Sequence, residues 1–220
     1  MTNQTDVFEI LPNLPVEQYR TGEYAKHINS FNNYMTRAQF TRNHAWSIYT
    51  KESMDAIADV VKTYFPHNKC IDVAGGMGLL TKLLRDRGLD VTLNDISATG
   101  EGEGHKYWYI RANQFAPVDI VSSAAEVDYG DYNVAFMSWP CCDANWDHFV
   151  LDKLKPGTLL IYLGEGSGGC TGSGLFHERL RKYFHELDTL SEDIEEHHVR
   201  FYSMHDRWHV YRKLNKPFTN

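Results

Sequence analysis

Cys70-Ile-Asp-Val-Ala-Gly-Gly-Met-Gly-Leu-Leu-Thr-Lys-Leu-Leu84, continued by Arg85-Asp-Arg-Gly-Leu-Asp-Val-Thr-Leu-Asn-Asp-Ile-Ser97, reads as strand, glycine turn, amphipathic helix and second strand ending in an acid. After an apolar strand at Cys70–Val73, Gly75, Gly76 and Gly78 let the backbone turn sharply and approach a ligand with no Cβ in the way. Leu79, Leu80, Leu83 and Leu84 form one stripe, which predicts a helix from Leu79 to about Arg87 packed on a sheet. Gly88 is placed to end it as a C-cap, and Val91-Thr92-Leu93 is the next strand. Asp95 stands 23 residues beyond Asp72, near the spacing at which an acid meets ribose hydroxyls in nucleotide-binding β-α-β units.

Three readings of the turn compete. A dinucleotide fingerprint asks for glycine or alanine at its third position, but Gly76-Met-Gly78-Leu-Leu-Thr81 has threonine there. A P-loop needs Gly-Lys-Ser/Thr, which the chain lacks. The bland reading is a strand-to-helix turn of any α/β protein; the flanking acids Asp72 and Asp95 favour a bound adenosine instead.

The segment resembles the first two motifs of class I S-adenosylmethionine-dependent methyltransferases, which usually read Asp-x-Gly-x-Gly-x-Gly. Asp72, Gly76 and Gly78 match, and Ala74 replaces the first glycine. The resemblance implies S-adenosyl-L-methionine as cofactor, with Gly76 and Gly78 lining its methionine part and Asp95 holding its ribose. Ala74, Gly75, Asn94 and Ile96 complete the expected cofactor-binding set with Asp72.

The 220 residues, 42% hydrophobic and 13% aromatic, are enough for one domain with a full core. No apolar run is long enough to span a bilayer, and the polar start Met-Thr-Asn-Gln-Thr-Asp lacks a signal-peptide pattern, so the expectation is a soluble, cytoplasmic protein with no membrane partner. A net charge of −7 argues against bulk electrostatic binding of duplex DNA. Cys70, Cys141, Cys142 and Cys170 contain no Cys-x-x-Cys pair, and the scattered histidines, His197, His198, His205 and His209 included, lack a third ligand by spacing, so no metal is expected.

Residues 1–50 carry Tyr19, Tyr24, Phe31, Tyr34, Phe40, Trp46 and Tyr49, too aromatic for a loose tail. They read as an extension packed on or capping the domain at 51–220. Thr50 is the expected N-cap of a helix at Glu52–Tyr64. After a polar glycine-rich loop (97–105) and the segment 106–110, strands are expected at Asp119–Ser123, Asn133–Ser138 and Thr158–Leu163, with two more over His185–Leu190 and Phe201–Tyr211. Helices are expected at Asn145–Leu154 and Leu175–Phe184. The alternation gives a doubly wound α/β fold. By resemblance it is a mostly parallel seven-stranded sheet with an antiparallel C-terminal strand.

Ser138-Trp-Pro-Cys141 ends one strand, where open α/β sheets place their ligands. Pro140 is expected to hold Trp139 extended, offering carbonyls to an amine and an indole face for stacking. The tetrapeptide is similar to the Asp/Asn/Ser-Pro-Pro-aromatic motif of amine methyltransferases, with Trp139 for the first proline and Cys141 for the aromatic. The next strand opens into Gly164-Glu-Gly-Ser-Gly-Gly-Cys-Thr-Gly-Ser-Gly174, an anion-binding or lid loop in which Glu165 is the candidate base. With Trp46-Ser-Ile, these motifs resemble a methyltransferase-like family over roughly residues 42–213. The expected function is methyl transfer from S-adenosylmethionine, with Ser138, Trp139, Pro140 and Glu165 on the catalytic side and the acceptor undefined. Other chemistry on the same cofactor, lyase or hydrolase, and a non-catalytic adaptor stay open.

Overall fold

A computed structural model describes residues 37, 40, 41, 44–96, 114–201 and 203–218. Most of the aromatic extension, the 97–105 loop and the 106–110 segment lie outside the described residues.

Helix α1 (Lys51–Tyr64) begins at Thr50 with a reciprocal capping box: the Thr50 side chain accepts from Ser53 N, and the Ser53 side chain takes Thr50 N. Met54, Ile57, Ala58 and Val61 form its buried face, and the helix stops before Pro66. Strand β1 (Cys70–Val73), helix α2 (Leu79–Arg85) and strand β2 (Val91–Asn94) complete the unit read from the sequence, and Gly88, at φ +80°, turns the chain between α2 and β2. Then come β3 (Val134–Ser138), α3 (Asp147–Lys153), β4 (Leu159–Gly164), α4 (Gly174–Tyr183), β5 (Phe184–Glu186), α5 (Asp188–Glu195) and β6 (Arg207–Lys213). No helix among the described residues is long and apolar enough to cross a membrane.

The strands form one sheet in the order β2-β1-β3-β4-β6-β5. The first four are parallel, and β6 inserts antiparallel between β4 and β5. Central strands buried at nearly every position have both faces covered. Phe136 and Ile161 join Met54, Leu83, Ile194 and Trp208 on one face; Ala135, Leu160 and Tyr162 join Val150, Phe176 and Leu180 on the other. Phe40, Ile48 and Tyr49 pack into the first of these cores.

Three expectations change. Six strands, not seven, are present among the described residues. The stretch expected as a strand at Asp119–Ser123 makes a single bridge, Ile120 beside Asn94. Side chains take the place of a ladder there: Asn94 Nδ2 donates to the Ile120 and Ser122 carbonyls, and Asp119 Oδ2 accepts from Leu93 N at 2.7 Å. The strand expected at His185–Leu190 ends at Glu186, because Leu187, Leu190 and Ile194 recur at helical spacing and form the packed side of α5. Finally, β6 begins at Arg207 rather than Phe201; Phe201 is a core residue, and Ser203 turns the chain at φ +59°.

Candidate active site

Among the parallel strands of the described sheet the order reverses once: the chain runs outward from β1 to β2, then returns to place β3 on the other side of β1. A crevice forms at such a switch, beyond the carboxyl ends of the strands. Because β1 to β4 are parallel, the glycine turn, Asp95, Ser138–Pro140 and Glu165 all follow the same edge of the sheet.

The glycines of the turn are of two kinds. A Cβ on Gly75 would lie 2.5 Å from Asp72 Oδ2, and one on Gly78 would lie 2.7 Å from Leu93 and 2.8 Å from Ala116, so both are needed for packing. Gly78 also adopts φ +75°. Gly76 is the exception: at φ +58° its Cβ would meet no atom of the described residues within 4 Å, leaving space among them over a turn in which the other glycines are crowded. Ala74 stands at φ +51°, left-handed backbone that glycine favours, so the replacement of the usual glycine leaves the turn intact at a local cost.

Asp72 is 1% exposed and accepts from Thr81 Oγ1 at 2.7 Å. Burial, reinforced by the charge of Asp95, pushes its carboxyl up to about 7 against the pull of the Thr81 hydrogen bonds. It therefore braces the turn from below. Asp95 is 7% exposed and accepts from Gly76 N at 2.8 Å, which ties the end of β2 to the glycine over open space. Asn94 is fully buried and spends its amide nitrogen on the 120–122 segment, while Ile96 is partly exposed next to Asp95.

On the other side of the switch, the Ser138 hydroxyl pairs with Ser47 Oγ at 2.7 Å and accepts from Tyr49 OH at 2.9 Å. Burial pushes the Tyr49 phenol far above its usual range, so it stays a donor. Trp139 departs from expectation. Its φ is +55°, left-handed rather than the extended form that Pro140 favours. Its backbone N–H donates to Leu163 O at 2.9 Å, and its indole Nε1 donates to Asp206 Oδ2 at 3.2 Å. Fixed at both ends, the residue is held in a conformation its side chain disfavours. The indole lies parallel to Trp46, with ring centroids 6.4 Å apart, and the Arg37 guanidinium sits 4.5 Å over its ring. Pro140 is buried, and its carbonyl accepts from Gly172 N at 2.8 Å.

Asp206 is the acid that the sequence did not reveal. It is 67 residues from Trp139 in the chain, and no spacing connects them. Burial alone would raise its carboxyl, but His198 beside it, the charge of Arg37 and the Trp139 N–H hold it below the usual carboxylate range. Glu165, the candidate base, is also buried. One carboxylate oxygen accepts from Cys170 N at 2.6 Å and the other from His205 N at 3.0 Å, so the side chain closes the glycine-rich loop on itself and on the 205 segment.

A separate cleft of about 310 Å³ lies between α4, β5 and β6, lined in part by Tyr162, Arg181, Glu186 and His209. It reaches the carboxyl edge at Glu165 and Ser167 but not the glycine turn.

No protein-family model matches the chain, and no curated protein matches it. Solved structures to which it is similar include the CcbJ methyltransferase from Streptomyces caelestis, at 13% identity over 74% of this chain and 90% of that one, with a TM-score of 0.40. A second is the 1,6-didemethyltoxoflavin-N1-methyltransferase of Burkholderia thailandensis with bound 1,6-didemethyltoxoflavin and S-adenosylhomocysteine (13% identity, 74% and 79% covered, TM-score 0.42). A third is human N-acetylserotonin methyltransferase in complex with SAM (12% identity, 91% and 70% covered, TM-score 0.41).

Proposed function

We propose that this chain binds S-adenosylmethionine at the Ala74–Gly78 turn and methylates an acceptor held beside Ser138–Pro140. The observation that carries the reading is the meeting of two motifs at one switch point. The glycine turn follows β1, the Ser138-Trp-Pro motif follows β3, and these are the two strands between which the crevice opens. The residues fit the cofactor: the open space at Gly76 admits a ligand against bare backbone, and Asp95 stands at the end of β2, where a ribose would be held.

When bound, S-adenosylmethionine supplies an activated methyl group that an acceptor takes by in-line displacement. The protein's part is then alignment and exclusion of water. Asp72 braces the turn, and Asp95 fixes Gly76 while presenting a carboxylate to ribose hydroxyls. Trp139, anchored by Asp206 and overlaid by Arg37, forms the wall on the acceptor side, with Trp46 parallel to it. We assign Ser138 and Glu165 to holding this wall and the adjoining loop, since hydroxyl and carboxylate are engaged within the protein. An acceptor whose methylated form leaves the site still carrying its proton, and loses it to water after release, suits such a site. The same engagement favours, as a second reading, a cofactor-binding protein with no transferase activity.

Incubation with S-adenosylmethionine and pooled small-molecule, nucleic-acid and protein acceptors, followed by assay for S-adenosylhomocysteine, tests this. Acceptor-dependent formation supports methyl transfer. Cofactor breakdown without acceptor points to lyase or hydrolase chemistry, and binding without turnover supports the second reading.

A further inference from the structure

Three of the four cysteines come together at the carboxyl edge, although the sequence spreads them over 30 residues. Cys141 and Cys142 follow Pro140, and Cys170 lies in the glycine-rich loop. Cys141 forms an antiparallel bridge with Thr171, flanked by hydrogen bonds from Gly172 N to Pro140 O at 2.8 Å and from Cys142 N to Cys170 O at 3.2 Å. The second of these bonds sets the Cys142 and Cys170 backbones side by side at the end of the bridge, where Cys142 enters a turn. Residues joined by such a backbone bond in an antiparallel pair have Cα atoms about 5.5 Å apart. That lies within the span of roughly 4.4–6.8 Å that a disulfide bridges. Both thiols are free and exposed.

Cys141 is one position out of register. It faces Thr171, and its thiol donates to Asp143 Oδ1 at 2.7 Å. Burial and that hydrogen bond push the Cys141 thiol up, which disfavours the thiolate that oxidation requires.

We propose that Cys142 and Cys170 are an oxidant-sensitive dithiol that closes to a disulfide on reaction with a hydroperoxide. One thiolate attacks the peroxide, the O–O bond breaks, and a sulfenic acid forms as water or an alcohol leaves. The opposing thiolate then attacks that sulfur; the S–S bond forms, the S–O bond breaks, and the departing hydroxide takes up a proton as water. With hydrogen peroxide, two thiols and one peroxide become one disulfide and two waters. The bond staples the turn after Pro140 to the glycine-rich loop, joining the segments that follow β3 and β4. It rests on backbone register and thiol exposure, independently of the methyl-transfer reading.

The test treats the full chain with hydrogen peroxide, alkylates remaining thiols, and maps cross-linked peptides by mass spectrometry. The expected result is one intramolecular link that dithiothreitol reverses. It forms in wild type and in Cys141→Ser, is lost in Cys142→Ser and in Cys170→Ser, and raises the melting temperature of the oxidised protein. A link that survives Cys142→Ser but not Cys141→Ser overturns the pairing, as do purely intermolecular disulfides or sulfinic acid without a link. Protection that a chelator removes would also overturn it. That outcome assigns the cluster to a soft metal, since ligand atoms of Cys141, Cys142 and Asp143 lie within 4.8 Å of one another.

Discussion

Asp72 lies beneath Gly75 with a hydroxyl as its close hydrogen-bond donor, so its ionisation is opposed by burial and by Asp95. An acid whose folded pKa lies above its unfolded value contributes stability that is fully present below the unfolded value. That contribution is lost as pH rises through the folded value, here over roughly pH 4 to 7. Asp72→Asn keeps an acceptor for Thr81 and removes the titration. The variant's melting temperature relative to wild type is therefore expected to be higher at pH 8 than at pH 5, by several degrees. A difference that does not change with pH would contradict the assignment. Two neighbouring glycines separate folding from binding. Gly78→Ala drives a Cβ into Leu93 and Ala116 at left-handed φ, an expected loss of about 2–5 kcal/mol in denaturant unfolding. Gly76→Ala meets no described residue and costs only the left-handed strain, about 1–2 kcal/mol, yet its methyl enters the space where the cofactor is proposed to lie. Gly76→Ala should fold and fail to bind S-adenosylhomocysteine; wild-type affinity would move the ligand away from this turn.

Helix α1 shows how much an element's sequence can say about itself. Thr50 caps it as the sequence predicts, and its hydroxyl reaches on to the carbonyl of His197 at 2.6 Å, a contact 147 residues away that local patterning does not contain. Thr50→Ala is expected to lower stability by about 1–2 kcal/mol, or roughly 2–8 °C in melting temperature. An unchanged melting temperature would mean that the cap contributes nothing. The same division holds elsewhere. The β1-α2-β2 unit was legible because strand, turn, stripe and cap are local signals. Helix α5 was not, because a stretch that stops at Leu190 holds too little of the stripe, and Ser191 and Ile194 beyond it complete the helical period. The segment 119–123 reads as a strand by composition, but side chains of Asn94 and Asp119 take up the bonds a ladder would have used.

For the molecule as a whole, the order β2-β1-β3 is what turns separate motifs into one site. The sequence named the glycine turn, Asp95 and Ser138–Pro140, but not the partners that fix them. Asp206, Ser47 and the left-handed backbone of Trp139 emerge only from tertiary contacts. Glu165 was conspicuous in the sequence as an acid at a strand end, and tertiary contact gives it two backbone N–H groups to hold. Methyl transfer at this site requires the cofactor to sit on the glycine turn. The most direct test is thermal unfolding of wild type and Gly76→Ala with S-adenosylhomocysteine at about 100 times its dissociation constant for wild type. Binding should stabilise wild type by about 2.7 kcal/mol, or roughly 5–11 °C, and leave Gly76→Ala unmoved. No shift in wild type at saturating ligand, or an equal shift in both proteins, would contradict it.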